Sequence, residues 1–200
     1  MRWITTLTAV ALIVAAAACG GSPTSPSGTG TFNLRLKDAP LPETMALLVT
    51  FSDVTAHVDG VGGSNKVAFA NTTTTTDVTR TCDLLKLQNA TDVLGVGQLP
   101  AGHYTMVRLV VKEAKLYDHQ SPDGFTCVTG DVTTPPEGTP VNVQISGGEV
   151  KLNREFTVPE GGVTNMLIDF DAEKSVHQTG NGQWMMSPVI SVLEVSNPAS

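Results

Sequence analysis

The sequence predicts an all-β protein with very little helix, folded as a single β-sandwich. Apolar and polar residues alternate with period two, as at Phe32, Leu34 and Leu36, and this alternation is typical of half-buried strands. Clusters of Gly, Pro and Asp separate the apolar segments and predict turns. About ten short strands in this arrangement favour a sandwich, with a closed barrel as the alternative. The turn clusters lie at residues 121–124, 135–138 and 180–182.

The strands can be assigned in order along the chain. Residues 45–51 form a continuous apolar run, which is typical of a central strand buried on both faces. Residues 52–53 are expected to turn the chain so that residues 54–58 pair with the preceding strand. Residues 83–87 suit a helical turn or two, too short to be a stable helix. The remaining strands are predicted at residues 31–37, 66–70, 72–81, 104–111, 115–118, 141–145, 149–152, 163–170 and 183–195.

One pattern occurs twice, at residues 99–109 and 158–168. In each copy a proline presets a turn, a glycine closes it and a strand follows. The repetition predicts that the two strands enter their sheets in the same way. If Val107, Leu109 and Val111 face the core, then Met166, Ile168 and Phe170 face it too. The alternation then places Arg108 in one strand, and Asn165, Asp169 and Asp171 in the other, on the opposite faces.

Residues 1–18 are predicted to be a secretory signal peptide. Arg2 precedes an uncharged apolar run over residues 3–18, which is short of the ~20 residues that a membrane-spanning helix needs. Small alanines directly before Cys19 resemble the lipobox of bacterial lipoproteins, so we expect Cys19 to carry the lipid. An ordinary cleaved signal is the main alternative and a retained membrane helix the weaker one. The protein is then exported and anchored in the cell envelope, in the outer membrane of a Gram-negative host because Gly20 is not aspartate.

The rest of the chain divides into a tether, one domain and a tail. Residues 19–30 are rich in Gly, Ser and Pro and are expected to be a flexible tether. The sandwich domain is expected over residues 31–195, with a short tail at residues 196–200. The sequence has 12 Lys and Arg against 19 Asp and Glu, a net charge of −7. This acidic balance argues against nucleic acid as a partner and against electrostatic docking on anionic membranes, so the lipid alone is expected to contact the membrane.

Two cysteines remain after Cys19. Cys82 and Cys127 form an even pair in a protein expected to reach an oxidising compartment, and we predict a disulfide between them. Two free, buried thiols are the alternative.

Common enzyme and cofactor motifs are absent from the sequence. It lacks Gly-x-Ser-x-Gly, His-Glu-x-x-His and a Gly-rich phosphate loop, and its four histidines are scattered without ligand spacing. We expect no cofactor and no enzymatic activity. An unrecognised site built from distant residues is the alternative.

A pair of aspartates suggests a metal site. Asp169 and Asp171 lie two residues apart on a predicted strand, so their carboxylates would project ~6.5 Å apart from one face. With Asp38 they could share a hard cation. We favour the alternative, a solvated strand end paired with Lys174 or Arg108. Calcium requires six or more oxygen ligands, and the sequence suggests only these three carboxylates.

Aromatic side chains suggest a carbohydrate site. Trp184 lies beside Asn181 and Gln183, while Tyr117 and Phe125 lie in another loop-rich region. An exposed aromatic platform with hydrogen-bonding neighbours would suit a sugar ring. A core tryptophan is the favoured alternative, since Trp184 precedes two methionines in a strand that must bury a large side chain.

Several segments, taken in their order, resemble the bacterial domain-of-unknown-function family 4382, which is often found on lipoproteins. They are LRLKDAP at 34–40, VTFSDV at 49–54, DLLKLQN at 83–89, LPAGHYTMVRL at 99–109, FTVP at 156–159 and DFDAEKS at 169–175. The resemblance covers about residues 31–194. It implies a prealbumin-like or carbohydrate-binding-like sandwich and no established activity.

The sequence therefore predicts an exported, lipid-anchored, non-enzymatic binding or interaction module of the cell envelope, whose partner is a glycan or a protein. A carbohydrate-binding module is the second hypothesis and an enzyme the third.

Overall fold

A computed structural model describes residues 28–38, 46–58, 60 and 63–198, and these residues are mostly β-strand. The predicted signal peptide, Cys19 and most of the tether lie outside them. The strands are β1 (Thr29–Asp38), β2 (Ala46–Val58), β3 (Ser64–Lys66), β4 (Ala68–Phe69), β5 (Arg80–Asp83), β6 (Asp92–Pro100), β7 (Gly102–Tyr117), β8 (Cys127–Thr129), β9 (Val141–Asn142), β10 (Gln144–Ile145), β11 (Glu149–Leu152), β12 (Phe156–Val158), β13 (Val163–Phe170), β14 (Val176–Gln178), β15 (Trp184–Met186) and β16 (Ile190–Ser196).

Helical structure in the described residues is confined to two short elements. They are a 3₁₀ turn, Leu84–Leu87, where a helical turn is predicted, and α1 (Ala172–Ser175). In the described part of the chain, no helix has the length and hydropathy needed to cross a membrane.

The strands form two main sheets, called here the small sheet and the large sheet, and a third, minor sheet of three strands. The small sheet has the order β16-β13-β1-β6-β4, with β1 parallel to β13 and antiparallel to β6. The large sheet follows β11-β7-β2-β5-β8, and β9 and β12 also pair with β7 while β3 pairs with β2. The minor sheet has the order β10-β15-β14.

The two main sheets share one core, as the predicted β-sandwich requires. Phe51 of the large sheet packs edge to face on Phe170 of the small sheet, with ring centroids 6.3 Å apart. Phe32 of the small sheet stacks on Phe156 of the large sheet at 5.0 Å. Met166, Ile168 and Phe170 are buried, which confirms the face assigned to that strand.

The large sheet contains fewer and longer strands than predicted. The prediction of a turn at residues 52–53 is wrong, because β2 continues to Val58. Phe51 pairs with Val111 and Asp53 with Val110, so Ser52 is an extra residue accommodated in a bulge. Likewise, the two strands predicted at residues 104–111 and 115–118 are one strand, β7.

Two other predicted strands are shorter in the structure. Within residues 72–81 only the last two belong to a strand, β5, because most of the preceding polar residues are exposed and form no half-buried pleat. The strand predicted at residues 183–195 is divided into β15 and β16 around Pro188, which has no N–H to donate to a ladder.

The chain enters the sandwich at one end, which we call the N-terminal pole. The carbonyl of Gly28 accepts a hydrogen bond from the N–H of Ala101 at 2.8 Å, and that of Thr29 accepts one from Gly161 at 2.9 Å. These donors belong to the two Pro-Gly turns of the repeated pattern, so both turns hold the start of β1. Gly161 has φ +66°, a conformation that favours glycine.

The two turns do not lead into equivalent strands. The first connects β6 of the small sheet to β7 of the large sheet, whereas the second connects β12 of the large sheet to β13 of the small sheet. Each turn therefore carries the chain from one main sheet to the other, in opposite directions.

A candidate binding cleft on the large sheet

A cleft of about 380 Å³ lies on the face of the large sheet that points away from the core. Its base is formed by β2, β5 and β7, and its outer wall by the connection between β7 and β9, residues 118–140. Most of the lining side chains are polar. The cleft is lined by Leu48, Thr50, Thr79, Thr81, Lys112, Glu113, Lys115, Tyr117, Asp131, Val132 and Pro135.

Two threonine hydroxyls meet at the base of the cleft. Thr50 and Thr81 are partners in the β2–β5 register, and their hydroxyl oxygens are 2.9 Å apart. Only one of the two hydroxyls can donate in this bond, so the pair keeps both donor and acceptor capacity for a ligand.

A bulge in β7 supplies two consecutive charged residues to the cleft. Glu113 pairs with Thr50 and Val111 with the next residue of β2, so Lys112 is an extra residue between them. Lys112 and Glu113 both line the cleft, while Val111 and Ala114 on either side are buried in the core. The bulge therefore suspends the alternation of faces at this point.

The charges of the cleft are balanced. Lys115 Nζ lies 2.9 Å from Glu113 Oε1. Lys112 and Asp131, which are exposed, contribute one further charge of each sign. The lining thus contains two cationic and two anionic side chains.

A disulfide attaches the outer wall to the sheet and confirms the predicted pairing. Cys82 of β5 and Cys127 of β8 are bonded and lie opposite each other in the register. Cys82 is fully buried and Cys127 half-buried. Because β8 is part of residues 118–140, the crosslink connects this wall to the strand that supplies Thr81.

Asp83 supports the same wall from a buried position. Its carboxylate is 1% exposed and accepts hydrogen bonds from the N–H groups of Leu47, at 3.2 Å, and Leu85, at 3.1 Å. The second of these bonds caps the 3₁₀ turn. The backbone N–H of Asp83 donates to the carbonyl of Thr126 in the wall at 2.8 Å. Burial raises the pKa of Asp83, and the hydrogen bonds from Leu47 and Leu85 oppose this rise to a smaller extent.

Arg80 connects the wall to both sheets. Its guanidinium is 2% exposed and donates to Asp92 Oδ1 of the small sheet, at 3.1 Å, and to Thr129 Oγ1 of β8, at 2.6 Å. Burial lowers the pKa of Arg80, and the charge of Asp92 opposes this effect.

The three aspartates of the predicted metal site do not converge. Asp38 pairs with Phe170 and is buried, whereas Asp169 pairs with Lys37 on the opposite face of the small sheet. Asp171 follows the end of β13 and caps α1. No group of three His, Cys, Asp or Glu in the described ranges could hold a metal ion.

Each of these aspartates has a protein partner instead. Asp169 Oδ1 lies 4.0 Å from Lys37 Nζ. Asp38 Oδ1 accepts from the N–H of Ala172 at 3.1 Å. Asp171 accepts from the backbone N–H of Lys174 at 2.9 Å and from its ammonium group, and these bonds lower the pKa of Asp171. This is the pairing with Lys174 that the favoured alternative expects.

The structure brings together only two of the three predicted ligand-binding aromatics. Tyr117 is 6% exposed and packs with Ala46 and Leu48, and Phe125 packs against the same cluster. Trp184 is half-buried and packs against the main core, closer to the core interpretation than to an exposed platform. Tyr117 alone of the three also lines the cleft.

Most of the cleft was missed by sequence reasoning. Thr50 lies in a run assigned to the core, and Lys112 and Glu113 lie in the gap between two predicted strands. The available signal was the adjacency of Lys112 and Glu113 within an alternating segment, since two consecutive charges there indicate a bulge.

Comparison with known proteins identifies one family. A family model described as "Domain of unknown function (DUF4382)" matches residues 29–188. The chain matches no curated protein and no solved structure.

Proposed function

We propose that this chain, which belongs to the DUF4382 family, is an exported, lipid-anchored and non-enzymatic binding protein of the bacterial cell envelope. The observation that carries the proposal is the position of the cleft relative to the end of the domain where the chain arrives from Cys19.

The cleft and the N-terminal pole lie at opposite ends of β7. Gly102 begins this strand at the pole, and Lys112 and Lys115 line the cleft further along it. At ~3.3 Å per residue, roughly 30 to 45 Å of strand separate the pole from these two lysines. The antiparallel strand β2 spans the same distance, because Val58 pairs with Tyr104 near the pole and Leu48 pairs with Lys115 at the cleft.

An anchor at Cys19 would therefore hold the domain by one end and present the cleft at the other. A ligand outside the membrane could reach the cleft without competition from the bilayer. This arrangement suits a protein that captures or contacts something at a distance from the membrane to which it is attached.

The disulfide supports export. Bonds such as Cys82–Cys127 persist in oxidising compartments and are rare in the cytosol. The lining residues of the cleft include neither histidine nor cysteine, which favours binding over nucleophilic or acid–base catalysis by those groups.

Metabolic labelling with a fatty-acid analogue tests the anchor. The wild-type chain is expected to be labelled and to fractionate with membranes, whereas Cys19→Ser is expected to be unlabelled. The matched control is Cys82→Ala/Cys127→Ala, which should retain the label because these cysteines form the disulfide. Equal labelling of wild type and Cys19→Ser would refute lipid attachment at this residue.

A further inference from the structure

We infer that the cleft binds a neutral, polyhydroxylated ligand, namely one or two rings of a carbohydrate chain. This inference rests on the proposed function, because it takes the cleft as the binding surface.

The balance of charge argues against an ionic ligand. The cationic side chains Lys112 and Lys115 are matched by the anionic Glu113 and Asp131, and one pair is already joined at 2.9 Å. Without an excess of either sign, the lining provides no net attraction for a phosphate, a carboxylate or a cation.

The hydrogen-bonding groups suit hydroxyls. The Thr50–Thr81 pair can both donate and accept, Lys112 donates and Asp131 accepts. A sugar hydroxyl is itself both donor and acceptor, so it can match every one of these groups. An apolar ligand would instead remove them from water without replacement bonds, which is costly.

The strand order argues against an extended peptide. A bound peptide strand gains most of its affinity from main-chain hydrogen bonds to an open sheet edge. The base of the cleft consists of β7, β2 and β5, and each of these strands already has neighbours on both sides in the order β11-β7-β2-β5-β8. A ligand above them therefore contacts the side chains of these strands rather than their main-chain groups.

The volume of the cleft sets the size of the ligand. About 380 Å³ is near the lower end of the range for small-molecule sites, which suits one or two sugar rings. Tyr117 and Leu48 also reach the lining but are only 6% and 4% exposed, so the polar side chains provide most of the contact with the ligand.

Saturation-transfer NMR and calorimetry on the lipidated protein in a zwitterionic detergent test this inference, since a sugar-based detergent would compete. The probes are cellobiose, maltose and N,N′-diacetylchitobiose, with glucuronic acid, glucosamine and trialanine for comparison. At least one neutral disaccharide is expected to bind, with a higher affinity than the charged sugars and the peptide.

Matched variants locate the binding. Thr50→Val/Thr81→Val removes both partners of one hydrogen bond with little change of shape, so the fold should survive while affinity falls roughly tenfold. Lys112→Gln, at an exposed position, should also weaken binding. Thr73→Val, in a separate groove beside β4 and β6, should leave it unchanged.

Three outcomes would overturn the inference: no neutral sugar binds, binding is unaffected by the cleft variants, or a charged sugar or the peptide binds better. If Cys19 is nevertheless labelled by lipid, the anchored protein remains and only the ligand class fails. If Cys19 is unlabelled but sugars bind in the cleft, the anchor fails and the ligand class remains.

Discussion

Cys82 and Cys127 lie directly opposite each other on β5 and β8, and the disulfide between them holds the outer wall of the cleft against the large sheet. The crosslink closes a long loop, with a sequence separation of 45. The wall otherwise depends on a three-residue strand, β8, and on the hydrogen bonds that the Arg80 guanidinium and the Asp83 backbone N–H donate to it.

Removal of the crosslink is expected to destabilise the domain. The chain-entropy model gives ~4 kcal/mol for a loop of this length, so Cys82→Ala/Cys127→Ala should lower the free energy of unfolding by about that amount in urea titrations. Amide exchange should accelerate first in residues 118–140. By mass spectrometry, the native chain should be two hydrogens lighter than its reduced form; two free thiols in the native chain would contradict the structure.

The stability of the domain is expected to fall even when Arg80 is replaced conservatively. Arg80→Ala leaves the half-buried acceptors Asp92 and Thr129 without their donor and should cost about 3 kcal/mol of unfolding free energy. Arg80→Lys should not restore stability, because one ammonium group cannot reproduce the planar fork that contacts Asp92 and Thr129 together. Wild-type stability of Arg80→Lys in urea denaturation would show that the fork is unnecessary.

Asp83 should make stability depend on pH. Burial raises its pKa, so the folded state holds this proton more tightly than the unfolded state. Its contribution is fully present below the unfolded pKa of about 4 and is lost as pH rises through the higher folded pKa. Asp83→Asn keeps an acceptor for Leu47 and Leu85 and does not titrate. The variant should therefore gain stability relative to wild type between pH 4 and pH 7.

Urea midpoints at several pH values in this range measure that gain. The control is Asp123→Asn, a substitution at an exposed position of the same wall, which should show no comparable trend. A constant difference between wild type and Asp83→Asn across the range would contradict the raised pKa.

Trp184 is expected to contribute to stability rather than to binding. It is half-buried against the main core, so Trp184→Ala should cost about 2 kcal/mol, less than the ~3 to 5 kcal/mol of a fully buried tryptophan. Thermal unfolding measures this cost, and disaccharide binding should be retained. Loss of sugar binding with unchanged stability would identify Trp184 as the sugar platform instead.

The orientation of the domain can be measured on vesicles. A fluorophore at Asp131→Cys, in the cleft wall, should be quenched less by a headgroup quencher than one at Glu160→Cys, in a turn at the N-terminal pole. The difference follows from the roughly 30 to 45 Å of β7 between the two ends. Equal quenching at both sites would contradict presentation of the cleft away from the membrane.

Local pattern was sufficient to predict the class of fold. Alternation at Phe32, Leu34 and Leu36, and again over residues 166–170, predicts strands with one buried face, because successive side chains of a strand point to opposite sides. The pairing of Cys82 with Cys127 also followed from the sequence, since only two cysteines remained in a chain expected to be exported. The matching family model agrees with the resemblance read from the residues.

Long-range pairing decided the site, and only the tertiary structure shows it. Asp171 lies outside β13 because the chain turns into α1 after Phe170, and the three aspartates therefore do not form one site. The cleft arose because a single extra residue, Lys112, shifts the register against β2, and because residues 118–140 fold back over β5. Period-two patterning specifies which face a side chain occupies on its own strand. Which strands are neighbours, and where their registers slip, depends on contacts between residues far apart in the chain, and that information is absent from any local window.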